Sequence, residues 1–281
     1  MSMAEPAFTP RGRPLPGRSP FARTVDSVTF SVVLYAVIVG GLVWLAYGGA
    51  QAMGYNWQWY RIPQYFYTVT ENGFQWGEIS IGLVKTVTLS ATAFALAIAL
   101  GLVTALLRLS GLIVCTGVAI GYLELIRNIP LLVLLYLFYY VLGPIFGFDR
   151  YWASILTLAV FHSVLISEIL RAAINAVPKG QWEAATSIGM SRAQAYRYIV
   201  LPQSVRFMLP PMTGEAVHVI KSSAIVSVIA VAELTTIGRN IISDTYMSFE
   251  IWFTIAAVYM ALTLALSIGV TLLEKRYATE S

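Results

Sequence analysis

Apolar runs of membrane length, separated by short polar stretches, set the pattern of this chain. Residues 27–49, 86–107, 128–148 and 251–273 contain no Asp, Glu, Lys or Arg. A helix that crosses the hydrocarbon core needs about 20 mostly apolar residues, so each run predicts one span. Another uncharged run, 151–167, is shorter and is followed by Glu168 and Arg171. Segment 207–232 is long enough to span but holds Glu215, His218 and Lys221. No strand-like alternation is long enough for a barrel, and no internal repeat is evident. The pattern predicts an all-α membrane protein with six transmembrane helices.

Composition agrees with that class. Of 281 residues, 58% are hydrophobic and only 11% are charged, against about 25% charged in a soluble domain. Topology, rather than a nucleic-acid partner, accounts for the surplus of Lys and Arg, which gather on the cytoplasmic side of membrane proteins. With the N-terminus inside, the inside segments hold arginines 11, 13, 18 and 23, Arg108, the group Arg171, Lys179, Arg192, Arg197 and Arg206, and then Lys275 and Arg276. The outside loops hold Arg61, Arg150 and Arg239, with Lys85 near a boundary. Residues 1–26 are then a basic cytoplasmic tail and 276–281 a short one. The apolar run 27–49 exceeds the roughly 7–15 residues of a signal-peptide core and reads as an uncleaved N-terminal anchor. The single cysteine, Cys115, supports neither a disulfide nor a metal site.

The loops are distinctive. The first outside loop, 50–78, contains YNWQWYRIPQYFY, and such aromatic density favours the water–lipid interface, with a ligand-binding cluster as the other reading. The last outside loop, 233–250, has room for a short surface helix. On the inside, Pro178 and Gly180 open a polar passage, 178–202, between two spans. WEAATSI is a run of helix formers with Glu183 expected in its first turn, where the helix dipole favours an acid. Gly189 suits the left-handed residue that ends a helix. Ser191 and Gln194 then fit a capping box that opens a second short helix through AQAYRYIV. Pro202 ends that helix or begins the next span. Such a hairpin either rests on lipid headgroups or docks a cytoplasmic protein, which could come close at the small Ala184 and Ala185.

Residues 183–202, EAATSIGMSRAQAYRYIVLP, resemble the EAA signature of ABC-importer permeases: Glu-Ala-Ala, three residues, Gly, nine residues, then Ile-x-Leu-Pro. GLVKTVTLS (82–90), YLELIRNIPLLVLLY (122–136), EILRAAINAVPKGQ (168–181) and IKSSAIVSVIAVAEL (220–234) resemble the polar amino-acid uptake permeases. The resemblance covers residues 79–275 and leaves the anchor and tail outside it. It implies a type I ABC importer permease fold with one extra N-terminal helix. It further implies a second permease subunit, identical or paralogous, a separate ABC ATPase dimer that binds ATP and Mg, and a periplasmic amino-acid-binding protein. Glu183, Ala184, Ala185, Gly189 and Arg192 would carry the ATPase coupling. The chain has no G-x-x-x-x-G-K-[ST] phosphate loop and is expected to be no enzyme and to hold no cofactor.

The polar segment 207–227 is the candidate pathway. Pro210, Pro211 and Gly214 weaken the helix, freeing backbone groups that need partners or water. Glu215 and His218 are helical neighbours at i and i+3, with Ser222 at i+7 on the same face. Ionisable groups at membrane depth are costly and mark pathways or sites. Thr213, Glu215, His218, Lys221, Ser222 and Ser223 are therefore the expected substrate set, with Lys221 receiving a carboxylate; the alternative is a structural Glu215–Lys221 pair. Many of the permeases it resembles read Lys-Asp-Thr-Ser where this chain reads Lys221-Ser222-Ser223-Ala224. A polar L-amino acid is expected, glutamate or aspartate first. Glu124–Arg127 and Glu168–Arg171 are spaced for intrahelical ion pairs. His162 reads as hydrogen-bonded packing, and Glu233 as either a cap or a docking contact. A self-sufficient ion-coupled carrier or channel is the rival function. A membrane enzyme finds no metal cluster or nucleophile–base arrangement.

Overall fold

The computed structural model describes residues 28–71 and 73–278, so the basic tail 1–26 lies outside the described residues. The chain divides into two compact units, residues 1–57 and 58–281. In the first, helix α1 (Val28–Ala52) occupies the predicted anchor. Its side chains are exposed from Phe30 to Gly49. A helix that is apolar all round and buries nothing within its own unit is a membrane span.

The second unit opens with a 3₁₀ helix (Trp59–Tyr65) and an antiparallel hairpin, β1 (Tyr67–Thr70) and β2 (Gly73–Trp76). Helix α2 (Glu78–Leu109) follows, then α3 (Ile113–Arg127) and α4 (Leu131–Tyr136). A π-helical turn (Leu137–Leu142) joins α4 to α5 (Gly143–Phe146). Helix α6 (Arg150–Asn175) precedes passage 178–202, which holds α7 (Lys179–Ser187) and α8 (Arg192–Ala195). A second π-helical turn (Tyr196–Val200) leads into α9 (Leu201–Ser222) and a 3₁₀ segment (Ser223–Ile229). The chain ends with α10 (Leu234–Thr245) and α11 (Ser248–Ala278). Among the described residues, five helices are long and apolar enough to cross a membrane, and a bent pair taken as one span makes six.

That bent pair corrects one expected boundary. Run 128–148 holds one helical segment, Leu131–Phe146, which meets the preceding Ile113–Arg127 at 103°, and the two qualify as a span only together. Pro130 causes the break, because it lacks an N–H and disfavours a helical residue before it. Asn128 seals the first helix by donating from Nδ2 to the Glu124 carbonyl at 2.7 Å. Elsewhere the spans outrun the uncharged stretches. Helix α2 starts at Glu78 and passes through exposed Lys85, and α6 continues through Glu168 and Arg171.

Helices α2 and α6 form the centre of the bundle. Ala93, Ala97, Gly101 and Ala105 recur every fourth residue on α2 and are all buried. Small residues let backbones approach closely where hydrophobic burial gives no drive between helices. At Gly101 a Cβ would stand 2.7 Å from Ile166 Cγ2 and 3.0 Å from the Ser163 carbonyl, so any larger residue forces the helices apart.

The short helix anticipated in 233–250 exists as α10, with one face packed and Arg239, Asn240, Ser243 and Asp244 exposed on the other. Leu234 and Ile241 join a cluster with Ile79, Met247, Ile251 and Ile255. Glu233 resolves as its cap: the carboxylate accepts from Thr235 N and Thr236 N, both at 2.8 Å, and from the Tyr259 hydroxyl at 2.9 Å. It is fully buried and offers nothing to a docking protein.

Candidate functional site

Helix α9 carries the ionisable residues of the expected pathway. Glu215 does not meet Lys221. Its Oε1 lies 2.5 Å from Nδ1 of His162 on α6, and the two side chains are 3% and 4% exposed. Nδ1 and Oε1 share a hydrogen bond across antiparallel helices. A buried ionisable group is tolerated when it is paired and hydrogen-bonded, so a histidine that looked isolated along the chain is the partner of the acid. Nε2 of the same ring is buried with no hydrogen-bond partner among the described residues.

The expected substrate residues divide around α9. Glu215, His218 and Ser222 line a cavity of about 310 Å³ with Arg127, His162 and Glu168. Thr213, His218 and Lys221 line a second groove of about 340 Å³ with Ser267 and Thr271 of α11. His218 borders both. The split follows from helical periodicity, since i, i+3, i+7 and i, i+4, i+8 mark separate faces when counted from residues 215 and 213. Ser223 lines neither; it is fully buried and donates to the Ile220 carbonyl at 2.7 Å. Lys221 is exposed and forms no ion pair among the described residues.

At the other end of α6, Glu168 gathers three arginines. Its Oε1 accepts from Arg108 of α2 at 2.5 Å and, more weakly, from Arg127 of α3 at 3.5 Å. Its Oε2 accepts from Arg171 Nη2 at 2.9 Å. Both i, i+3 pairs read from the sequence are present, although Glu124–Arg127 is long at 3.5 Å. Arg108 and the convergence itself were not foreseen, because they depend on how three helices pack.

Hairpin 178–202 is built largely as its residues predict. Gly189 adopts φ +77°, and Ser191 with Gln194 closes both bonds of a capping box. Two expectations are corrected. Helix α7 starts at Lys179, so Glu183 lies beyond its first turn. The segment after Gly189 is not a separate short helix: it runs through Pro202 into α9, an unbroken helical path from Arg192 to Ile229. Pro202 follows directly on the π-helical turn Tyr196–Val200, within that path. Trp182 and Tyr196 meet edge to face at 4.8 Å and pack the hairpin onto Ile174, Val177 and Val200. Ala185 is buried, whereas Glu183, Ala184, Gly189 and Arg192 are exposed.

With this geometry in hand, comparison with known proteins is informative. Residues 97–279 match the family described as binding-protein-dependent transport system inner membrane component. The chain belongs to that family. This permease is 36% identical over 197 residues to the probable glutamine ABC transporter permease protein GlnM of Bacillus subtilis (strain 168), covering 69% of this chain and 91% of that one. It is 28% identical over 240 residues to the glutamate/aspartate import permease protein GltJ of Escherichia coli (strain K12), covering 80% and 96%. A crystal structure of an amino acid ABC transporter with histidines superposes with a TM-score of 0.66 at 40% identity, covering 71% of the permease and 94% of the solved chain. An inward-facing methionine transporter, MetNI, shares the fold at a TM-score of 0.63 and 19% identity, over 71% and 95%. The permease is a multi-pass transport subunit and not an enzyme. Helix α1 and the basic tail precede the matched region.

Proposed function

We propose that this permease is the pathway-forming subunit of an ATP-driven amino-acid importer in a bacterial inner membrane, with both termini cytoplasmic. It pairs with a second permease subunit, identical or paralogous, since one chain supplies half of a two-fold pathway. A separate ATPase dimer holds ATP and Mg and docks on hairpin 178–202. A periplasmic binding protein delivers the amino acid. One observation carries the reading: in a chain of this family, the hairpin packs Trp182 inward, buries Ala185 and presents Glu183, Ala184, Gly189 and Arg192 on an exposed face. The unbroken path into α9 supports transmission from that face to the polar residues.

The substrate is a polar amino acid whose side chain ends in a carboxylate or an amide. Lys221, exposed in a polar groove with Thr213, Ser267 and Thr271, supplies a cation for a carboxylate. Glu215 is already engaged by His162, which removes the objection an unpaired acid would raise to glutamate or aspartate. Glutamine stands beside them, because the relatives named for glutamine are 36% and 33% identical and the glutamate/aspartate one 28%. The test is stimulated ATPase activity of the reconstituted complex with a panel of amino acids, alongside Lys221→Ala. Stimulation by glutamate or glutamine that weakens in the variant is expected. An unchanged profile and affinity would remove Lys221 from the site, and uptake by this chain alone would overturn the ATP-driven reading.

A further inference from the structure

The aromatic hairpin β1–β2 presents an apolar face that nothing in its unit covers. The register pairs Tyr67 with Trp76 and Val69 with Phe74, so alternation gathers these four side chains on one face and Thr68, Thr70 and Gln75 on the other. On the apolar face they are 51%, 68%, 75% and 55% exposed in that order. Tyr67 stacks on Phe74 with centroids 6.0 Å apart, and Phe74 meets Trp76 edge to face at 5.0 Å. The face carries no formal charge; Glu71 lies in the turn.

The hairpin is clamped to a membrane helix. Gly77 caps the N-terminus of α2 and donates to the Phe66 carbonyl at 2.8 Å, and the Ser80 hydroxyl of the first turn donates to the same oxygen at 2.8 Å. A Cβ on Gly77 would lie 2.3 Å from the Tyr65 carbonyl, so glycine is what permits this approach. Four-residue strands extend about 13 Å, which keeps the whole face close to the end of α2.

Neighbouring elements mark the same level as a membrane boundary. The starts of α2, α6 and α11 converge at one end: Leu234 N donates to Thr86 at 3.0 Å, Arg150 to the Ala230 carbonyl at 3.1 Å, and Gln58 N to Glu250 at 2.6 Å. Exposed Trp76, Trp152 and Trp252 stand at those three starts. Tryptophan and tyrosine gather at the headgroup level, where an apolar ring and a polar edge are both satisfied.

We propose that the β1–β2 hairpin is a membrane-interface paddle whose Tyr67, Val69, Phe74 and Trp76 face rests in the lipid headgroup and upper acyl region of the outer leaflet. This occupant follows from the uncharged aromatic face, its rigid root on α2 and the tryptophan level shared with α6 and α11. It holds whether or not the transport reading does.

The full chain, with Cys115→Ser, is labelled with bimane at Val69→Cys or Gln75→Cys and reconstituted in phosphatidylcholine–phosphatidylglycerol vesicles. With no other protein added, a headgroup-level nitroxide lipid is expected to quench the label at 69 several-fold more than at 75, and iodide to quench it less. Equal iodide access at both positions overturns the proposal. So does protection of 69 that arises only after the binding protein is added, which would make a protein the occupant. The unlabelled chain supplies an independent measurement: brominated acyl chains should quench a share of tryptophan emission that Trp76→Phe loses, and an undiminished quenched share also overturns it.

Discussion

His162 on α6 and Glu215 on α9 are joined through a 2.5 Å contact in the buried part of the bundle, 53 residues apart in sequence. An interhelical hydrogen bond is worth about 0.6 kcal/mol on average in a membrane protein, and up to about 1.7. Glu215→Ala and His162→Ala should each lower the thermal midpoint of the purified protein. The double variant should lose less than the sum, with a coupling of about 1 kcal/mol. Strict additivity would show that the contact contributes nothing to stability.

Glu168 should prove less replaceable than the arginines around it. Arg127 approaches at 3.5 Å and is half exposed, so Arg127→Ala is expected to cost under about 1 kcal/mol. Glu168→Ala leaves Arg108, Arg127 and Arg171 converging without their carboxylate. Denaturation of the three variants in one detergent ranks them, and equal losses would argue against a shared hub.

Gly189 separates folding from coupling. Its φ of +77° is costly for other residues, while the space a Cβ would enter is open. The penalty for an L side chain there is about 1–2 kcal/mol, small enough for insertion and folding to survive. Gly189→Arg should therefore reach the membrane at near-normal levels and co-purify several-fold less ATPase. Undiminished association and transport would remove the hairpin from the coupling role.

Glu233 predicts a pH dependence. Burial pushes its carboxyl above the ordinary glutamate range, against the hydrogen bonds from Thr235, Thr236 and Tyr259 that pull it down. A carboxyl raised by folding is held protonated better in the native state. Its contribution is thus full below the unfolded value and lost as pH rises through the raised one. Glu233→Gln keeps the acceptor for the helix cap and cannot ionise. The midpoint of the natural protein should fall relative to this variant as pH rises above the ordinary glutamate range; parallel curves would show no such titration. Glu233→Ala, which deletes the cap, should cost about 1–2 kcal/mol at any pH.

What was legible in the sequence was local. The capping box at Ser191 and Gln194, the left-handed Gly189 and the i, i+3 pair of Glu168 with Arg171 are each decided within a few residues, and each is present. The partner of Glu215 was hidden because it lies on another helix. Lys221, its candidate along the chain, is rotated to the opposite groove by helical geometry. Pro130 opens the helix within run 128–148, but the bent partner before it, Ile113–Arg127, was not read as part of that span. Two further signals stood in plain sight: the four-residue spacing of Ala93, Ala97, Gly101 and Ala105, and the short alternation around Tyr67 and Phe74. Small residues and four-residue strands are weak signals until a neighbouring backbone or a facing strand gives them meaning.

The helical path from Arg192 to Ile229 is 38 residues long and therefore about 57 Å from end to end at 1.5 Å per residue. A continuous helical path of that length can act as a lever even though Pro210 and Pro211 lie within it. Tilted as one body by about 5° at its Arg192 end, it would carry its far end sideways by about 5 Å, roughly the width of a side chain. Small displacements at the foot would be magnified at the top, with no slack loop between to absorb them.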